Sequence, residues 1–362
     1  MGWYVGIEIG GTKLQIAVGR GEGEPFRAVW RGPIEASQRA SRIQQQIIEG
    51  IDELLGKARI PRSQIAGVAI GFGGPVDTHK GLIVTSHQVA GWENFPLVKW
   101  FDVNFGWPAV LHNDADTAAY AEARFGAGRG FDPVLYVTVG SGIGGGLICG
   151  GEIFRGSGAG AMEIGHLRPG RAPRHVSLTG TSVESIASGF GIEDRARRSI
   201  AGWEEATGGV ERHFAPLNPT RDRDAPPAHG TPRNFSERFA TLMKLVEGDR
   251  GRITTRIIAH AAALGDRFSR ELLSDATDTL GWALAQAITL INPARIVIGG
   301  GVSLIGEDLF FEPVRRACRA EVFQPFAGIA EIVPAALGEE VVIHGALALA
   351  RAAFHRKTAG CS

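Results

Sequence analysis

The sequence predicts an α/β protein with two domains. Apolar runs that indicate strands alternate with stretches of helical periodicity along the chain, which is the pattern of α/β folds. A length of 362 residues favours two domains over one. Two glycine-rich hairpins of matching layout lie about 130 residues apart, and they indicate two related halves that each present a backbone loop to one ligand.

Composition and charge exclude several classes of protein. The formal net charge is zero, so no electrostatic footprint indicates nucleic acid or an anionic membrane as a partner. The longest apolar stretch, residues 283–291, is shorter than the ~20 residues that cross a bilayer. No basic region precedes the first predicted strand, so we expect no signal peptide. Cys149, Cys318 and Cys361 have neither paired nor metal-binding spacing, which favours a reduced, cytoplasmic setting.

The elements of the first part of the chain are predicted from periodicity and turn residues. We predict strands at residues 4–9 and 14–18, an amphipathic helix at 37–55, a buried strand at 66–71 and a loop at 86–100. A short strand at 110–111 precedes an alanine-rich helix that ends near Phe125. Asn113 or Asp114 is suited to cap that helix.

The second hairpin, residues 134–149, opens the remainder of the chain. After it we predict a glycine-rich loop at 154–165, a helix from about Ser182, helical structure through 253–291, a strand and glycine turn at 295–301, a helix at 307–320 and a C-terminal helix at 341–356. Residues 205–252 break this pattern because they are polar and hold five prolines between positions 216 and 232. We interpret them as a surface insertion.

Both hairpins are interpreted as phosphate-binding turns. Consecutive backbone N–H groups in a tight turn form an anion-binding nest, and glycine lets the phosphate approach. The alternative is a pair of ordinary hairpins, and their matching layout favours phosphate. The candidate phosphate contacts are Gly10, Gly11, Thr12 and Lys13 in the first hairpin and Gly140, Ser141, Gly142 and Gly144 in the second. A third turn, formed by Gly299, Gly300 and Gly301, either lies against a nucleotide's sugar and base or packs closely.

Two better-known phosphate motifs are excluded by the secondary structure predicted directly after them. Residues 140–145 formally match the dinucleotide-binding fingerprint, which requires a helix immediately after the glycines. Here the next predicted element is a strand. Residues 11–13 resemble the end of a P-loop, but the first glycine of that motif is missing and the next element is again a strand.

Asp114 is the candidate catalytic base. A carboxylate at a helix N-terminus can simply be a cap. The functional interpretation is a base that accepts a hydroxyl proton while the oxygen attacks phosphorus. Asp116 competes for this role, and we expect its side chain to face solvent more than that of Asp114.

Several polar residues around the second hairpin offer the donors and acceptors that a polyol requires. The candidate sugar contacts are Gly74, Gln88, Asn113, Asp114, Glu163, His166 and Glu184. Glu163 and His166 are three residues apart and can face one cavity. Trp92 either completes this pocket or packs in the core.

These residues in this order resemble the ROK family (repressor, open reading frame, kinase) of the actin-like sugar-kinase superfamily. The resemblance covers nearly the whole chain. The matching motifs are residues 9–13 (first phosphate motif), 113–115 (catalytic base), 140–146 (second phosphate loop), 163–166 with Glu184 (sugar contacts) and 292–301 (nucleotide-side turn).

The resemblance implies two actin-like, ribonuclease H-like domains with a ligand cleft between them. We expect the first at residues 1–112 together with 342–362, and the second at 113–341. The implied reaction transfers the γ-phosphoryl group of ATP to a sugar hydroxyl, usually O6, as in a glucokinase or fructokinase. Asp114 would be the base, and Mg²⁺ would bind the ATP phosphates, with Glu8 a candidate contact. The resemblance further implies a homodimer, and the cytoplasmic setting is the one that the cysteines favour.

Three departures from the family pattern bear on this interpretation. Glu8 replaces the usual aspartate, and Gln88 stands where an asparagine is expected. The family's zinc site joins a histidine to three cysteines. His166 is present, but the cysteine positions hold His175, Ser177 and Ser182, so we expect no structural zinc.

The departures motivate a second hypothesis, a catalytically weak sugar-binding sensor or regulator. Asp114 and the two hairpins argue against it, because a pure sensor needs no base. A DNA-binding segment is not expected either, since the first phosphate hairpin begins at the N-terminus.

Overall fold

The structure, a computed structural model, describes residues 2–23, 25–35, 39–86, 89–157, 160–170, 181–207 and 235–355. Its strands are β1 (Trp3–Ile9), β2 (Lys13–Gly19), β3 (Ala28–Pro33), β4 (Ile65–Phe72), β5 (Val76–Asp77), β6 (Leu82–Ile83), β7 (Ala109–Asn113), β8 (Val134–Val139), β9 (Ile143–Cys149), β10 (Glu152–Ile153), β11 (Arg295–Gly299) and β12 (Glu331–Pro334). Its helices are α1 (Ala40–Ala58), α2 (Leu97–Phe105), α3 (Asp114–Phe125), α4 (Val183–Ala187), α5 (Gly189–Thr207), α6 (Phe235–Leu245), α7 (Thr255–Ala263), α8 (Arg267–Ile291), α9 (Glu312–Glu321) and α10 (Val341–Phe354).

Two five-stranded sheets share one topology. Their strand orders are β3-β2-β1-β4-β7 and β10-β9-β8-β11-β12. In each sheet the first long strand forms an antiparallel hairpin with the second, as β1 does with β2 and β8 with β9. On its other side the same strand has a parallel neighbour, β4 or β11, which pairs in parallel with the last strand. The α/β class is therefore confirmed, and the two hairpins occupy equivalent places.

Helix α1 shows how sequence periodicity becomes packing. Ile43, Ile47, Ile51 and Leu54 are fully buried and join the core of the first sheet. The helix ends at Arg59, whose φ of 54° is left-handed and whose N–H donates to the carbonyls of the last turn. The predicted start at residue 37 lies outside the described residues.

Two alanine-rich helices, α3 and α10, lie between the sheets. Helix α10 packs on β1, β2 and β4, while α3 packs on β8, β9 and α10. The small side chains allow a close crossing. A Cβ on Gly345 would lie 1.9 Å from the carbonyl oxygen of Thr117. The C-terminal helix therefore returns to the first sheet, as the resemblance implies.

Several predicted boundaries are wrong, each for a local reason. The helical region 253–291 is two helices, because Gly265 has a φ of 96° and Asp266 then caps α8 through the N–H of Ser269. Helix α2 begins inside the predicted loop 86–100. The stretch 307–320 opens with a wide turn before α9.

The predicted insertion at 205–252 contains α6 as well as residues 208–234, which lie outside the described residues. Strand β3 was not predicted, because only two of its six residues are purely aliphatic. No helix within the described ranges is both long and apolar enough to span a membrane.

Candidate active site

The carboxyl ends of three strands of the first sheet meet beside the first hairpin. The N–H of Gly73, after β4, donates to the carbonyl of Ile9 at the end of β1 over 2.9 Å. The side-chain amide of Asn113, at the end of β7, donates to the carbonyl of Gly74 over 3.2 Å. Because β1, β4 and β7 are parallel, this edge gathers their functional groups.

Asn113 is the N-cap of α3. Its side-chain oxygen accepts the N–H groups of Ala115 (2.8 Å) and Asp116 (3.3 Å). Asp114 is therefore the first helical residue, and its own carboxylate also accepts the N–H of Ala115 at 2.8 Å. The start of the helix fixes this carboxylate next to Gly73, where an added Cβ would lie 3.4 Å from it.

The surroundings of Asp114 tune its proton affinity. Burial raises the pKa of its carboxyl to about 6, and the negative Glu163 adds to the increase. The N–H of Ala115 and the ammonium group of Lys13 oppose that increase. A carboxyl of this pKa is ionised at neutral pH and still able to accept a proton, which suits a general base.

Glu8 on β1 and Lys13 on β2 lie together next to the turn of the first hairpin. The Glu8 carboxylate is buried, accepts a 2.8 Å hydrogen bond from Gln15 and lies 3.3 Å from the Lys13 ammonium group. The pKa of the Glu8 carboxyl is raised to about 7, mainly by burial and also by the nearby Asp114, while Lys13 opposes the increase. Lys13 also donates to the carbonyl of Glu339 over 3.1 Å.

The tip of the first hairpin is open to ligand. The N–H of Gly10 donates to the carbonyl of Lys13 over 3.0 Å, which closes the turn. Thr12 is exposed at this tip, and Gly10 and Gly11 are half-buried. Carboxylate oxygens are ligands of Mg²⁺, and Glu8 is the carboxylate on β1 that could contact a metal carried by phosphates, although here it pairs with Lys13.

Three of the five glycines in the second hairpin belong to strand β9 and serve packing. Added Cβ atoms on Gly144 and Gly146 would lie 3.2 Å and 2.7 Å from alanine side chains of α3. On the opposite face, a Cβ on Gly145 would lie 2.5 Å from the carbonyl of Met162. These glycines let α3 and the loop before residue 163 approach the strand from both sides.

The remaining glycines of that hairpin, Gly140 and Gly142, form the turn itself. The N–H of Gly140 donates to the carbonyl of Gly142 over 2.9 Å, and Ser141 is exposed between them. No atom lies within 4 Å of an added Cβ on Gly140. Glu184 also lies at this turn, since its carboxylate accepts the N–H of Ile143 over 2.7 Å.

Glu163 and His166 lie side by side on one exposed surface. The carboxylate and the ring nitrogen Nε2 are 3.9 Å apart, and their side chains are 66% and 70% exposed. Gly165 between them packs so tightly on β9 that a Cβ would lie 2.3 Å from the carbonyl of Ile143. The negative charge of Glu163 raises the pKa of the Asp114 carboxyl.

The third glycine turn is partly a packing device. A Cβ on Gly299 would lie 2.4 Å from the Tyr136 hydroxyl, and one on Gly300, which has a φ of 88°, would lie 2.5 Å from the carbonyl of Val139. Gly301 has open space around it. The contact of Gly299, Gly300 and Gly301 with a nucleotide stays a prediction.

Other predicted residues fall elsewhere. Trp92 is fully buried and packs edge-on against Phe72 and Phe95, so it belongs to the core. Gln88 lies outside the described residues, as do positions 175 and 177. Among the residues that are described, no three His, Cys, Asp or Glu side chains are grouped for a metal ion.

The expectation that Asp116 faces solvent is wrong. Its residue is only 6% exposed, because the first turn of α3 packs on Gly146. Burial raises the pKa of Asp116 to about 7, and the nearby Arg155 opposes this. Within the described part of the chain, Asp116 Oδ1 has no hydrogen-bond partner.

Arg155 and His112 form a partly buried contact near Asp116 that sequence reasoning missed. The Arg155 guanidinium lies 3.0 Å from Nδ1 of His112. Burial and this cation lower the pKa of His112 to about 3, so its ring is neutral and Nδ1 accepts. Nothing local in the sequence links position 112, on β7, with position 155, which follows β10.

Comparisons with known proteins agree with this arrangement. The sequence model of the ROK family matches residues 4–353. A glucokinase from Halalkalibacterium halodurans is 29% identical over 346 residues, which are 95% of this chain and 93% of that protein. A xylose repressor from Caldicellulosiruptor bescii is 23% identical over 350 residues, which are 96% of this chain and 78% of the repressor.

A solved structure has the same fold. The crystal structure of a ROK family glucokinase from Streptomyces griseus, in complex with glucose and AMPPNP, superposes with a TM-score of 0.73. The two sequences are 27% identical, and the match covers 97% of this chain and all of that chain, 100%. The similarity thus includes both sheets and the helices between them.

Proposed function

The chain belongs to the ROK family, and from this membership and its glucokinase relatives we infer that it is an ATP-dependent sugar kinase. We propose that the acceptor is a hexose, that the γ-phosphoryl group moves to its O6 hydroxyl, and that Asp114 is the base. The observation that carries the proposal is the position of Asp114 at the N-terminus of α3 and beside the first hairpin: a Cβ added on Gly73 would lie 3.4 Å from its carboxylate and 3.5 Å from the Cα of Gly10.

Asp114 has the properties that the proton transfer requires. The sugar hydroxyl would donate a hydrogen bond to its carboxylate. As the hydroxyl oxygen forms its bond to the γ-phosphorus, the bond from that phosphorus to the bridging oxygen of ADP breaks. The hydroxyl proton then passes to the Asp114 carboxylate. A pKa of about 6 keeps this group ionised beforehand and lets it take up the proton.

The sugar is proposed to lie against the residues that surround this carboxylate. An amide, a carboxylate and an imidazole are available from Asn113, Glu163 and His166. Together they can form hydrogen bonds with several hydroxyl groups of a sugar. The exposure of Glu163 and His166 leaves their polar atoms available to a ligand. Gln88, Gly74 and Glu184 remain proposed sugar contacts of this pocket.

The phosphates are proposed to lie between the two hairpins. Gly10–Thr12 and Gly140–Gly142 present turn backbone at the ends of equivalent strands in the two sheets. When bound, Mg²⁺ would neutralise charge on the phosphate oxygens. Glu8 is the proposed protein contact to the metal.

The proposed division places this cleft between a domain of residues 1–112 with 342–362 and a domain of residues 113–341. A cytoplasmic homodimer is proposed as well. Light scattering on the purified protein measures the oligomeric state directly, and a mass of one chain would contradict the dimer.

A hexose panel tests the function. Purified protein is incubated with MgATP and each of glucose, fructose, mannose and N-acetylmannosamine, and ADP release is measured. We expect one or more sugars to raise ADP release well above background. The Asp114→Asn variant should bind the same sugar and lose turnover by a factor on the order of 10²–10⁴.

The sensor hypothesis makes the opposite prediction. It is favoured by the xylose repressor relative and by Glu8 in place of an aspartate. A sensor would bind a sugar, as measured by calorimetry, while no sugar raised ADP release. Retained turnover in Asp114→Asn would instead keep the kinase and move the base, with Asp116 the first alternative.

A further inference from the structure

The turn of the second hairpin is held by the junction between helices α4 and α5. The N–H of Gly189 donates to the carbonyl of Gly140 over 2.8 Å, and the N–H of Phe190 donates to the carbonyl of Ser141 over 3.3 Å. Both donors come from the start of α5. The turn therefore depends on a segment more than 40 residues later in the sequence for its conformation.

Glu184 on α4 makes the third of these bonds, and it is the only charged group among them. Its carboxylate accepts the N–H of Ile143 over 2.7 Å. A hydrogen bond from a backbone N–H to a carboxylate is about twice as strong as a neutral one. An added Cβ on Gly142 would lie 2.6 Å from the same carboxylate oxygen. Glycine at this position therefore leaves the space that Glu184 occupies.

Helix α4 is itself well anchored. Ser182 and Ser185 form a reciprocal capping box at its start, and Val183 is fully buried. The N–H of Val183 donates to the carbonyl of Leu167, directly after the loop that carries His166, over 2.9 Å. Glu184 thus projects from a fixed support that touches both the proposed sugar loop and the phosphate hairpin.

We propose that Glu184 is a positioning residue for the ATP phosphates. It fixes the peptide between Gly142 and Ile143, and with it the turn at Ser141 that receives the phosphates. This inference rests on the proposed kinase function and adds to it. A residue that served the sugar alone would leave nucleotide binding unchanged in the absence of sugar. A residue that positions the turn changes nucleotide binding whether sugar is present or not.

The first experiment measures binding of Mg²⁺–AMPPNP by calorimetry without sugar. Glu184→Ala should weaken the affinity on the order of tenfold, because a hydrogen bond to a charged group is lost and a backbone N–H is left without its acceptor. Glu184→Gln keeps an oxygen acceptor and should restore the affinity to within roughly threefold of the wild type. In steady-state kinetics, the KM for ATP should rise in Glu184→Ala and stay close to the wild-type value in Glu184→Gln.

Asp266 supplies the matched control. It is the N-cap of α8, and its buried carboxylate likewise accepts a backbone N–H, that of Ser269, over 2.7 Å. Asp266→Ala removes a comparable carboxylate acceptor without touching the hairpin or the start of α5, so AMPPNP affinity should stay at the wild-type value. Circular dichroism and thermal melting of all variants exclude a difference in folding.

A double-mutant cycle tests the contact itself and does not depend on Glu184→Ala alone. Gly142→Ala should weaken AMPPNP binding because its methyl group displaces the Glu184 carboxylate. In the Glu184→Ala background that methyl group no longer meets the carboxylate, so the second substitution should cost clearly less affinity than it does in the wild type. Additive losses would overturn the proposal.

Two outcomes separate this inference from the kinase proposal. Wild-type AMPPNP affinity in Glu184→Ala, with KM raised for the sugar alone, refutes the positioning role and leaves the kinase intact. A wild-type protein that binds no AMPPNP refutes the kinase function, and the role of Glu184 falls with it.

Discussion

The pH dependence of turnover tests Asp114 as the base. Only the ionised carboxylate can accept the hydroxyl proton, so kcat/KM for the sugar should rise with pH and become level above the pKa of Asp114. Burial and Glu163 place that pKa at about 6. About a tenth of the plateau activity should remain roughly one unit below it. This rise of kcat/KM with pH is the acidic limb of the pH profile, and an unperturbed aspartate would place its midpoint near pH ~4.

A single neighbouring substitution should move this limb in a known direction. Glu163→Gln removes the negative charge that raises the pKa of Asp114 while keeping a polar side chain of the same shape. The limb should then move to lower pH, by less than about one unit because burial is the larger cause. Asp116→Asn serves as the control, and if Asp114 is the base its profile keeps a single limb.

The assay is ADP release at saturating MgATP with the coupling system in excess at every pH. A limb near ~4 would refute the buried-base argument, because it would show a solvated carboxylate. A limb near ~7 that Asp116→Asn abolishes would identify Asp116 as the base, since burial raises the pKa of that carboxyl to about 7. Movement of the limb to higher pH in Glu163→Gln would contradict the sign of the interaction.

Three further predictions concern stability and metal content. Asp116 is protonated in the folded state below about pH 7 and ionised above it, so its buried charge destabilises the fold most at high pH. Asp116→Asn should therefore raise Tm more at about pH 8 than at about pH 5.5. An equal rise in Tm at both pH values would contradict the burial of that charge. Glu122→Ala should lower the free energy of unfolding, measured in urea, by roughly 3 kcal/mol or more. The reason is that the fully buried Glu122 carboxylate accepts the N–H groups of Ala127, Ala336 and Leu337. As a control, Glu152→Ala on the exposed surface should change the free energy of unfolding little. Elemental analysis should find no stoichiometric zinc, and one zinc per chain would show that His166 has ligands outside the described residues.

The sequence predicts those parts of the site that are encoded locally. A strand, a glycine turn and a second strand are contiguous, so both hairpins were predictable at their positions. Asp114 was predictable for the same reason, because the end of a buried strand and the start of a helix are adjacent. Its neighbour Asn113 proved to be the cap, a choice that depends on backbone geometry rather than on composition.

The remaining features depend on contacts between distant parts of the chain. The hydrogen bond from the N–H of Ile143 to the Glu184 carboxylate joins residues 41 apart, and no pattern in the sequence predicts it. Asp116 is buried where the first turn of α3 packs on Gly146, a residue of the later strand β9. The strand glycines of the second hairpin illustrate the same limit, because a glycine that packs a helix and one that binds a phosphate look alike in sequence.

Helix α3 connects these observations. Its first turn carries Asp114 and packs on the glycines of β9, so the proposed base and the second hairpin share one packed contact. At its last turn Glu122 accepts two N–H groups from the segment between β12 and α10. A Cβ on Gly126 would lie 2.0 Å from that carboxylate, so the end of the helix is as tightly fitted as its start. The position of the proposed base is therefore set by both ends of one helix, and a substitution at Glu122 should reduce turnover as well as stability although it lies about two helical turns from Asp114.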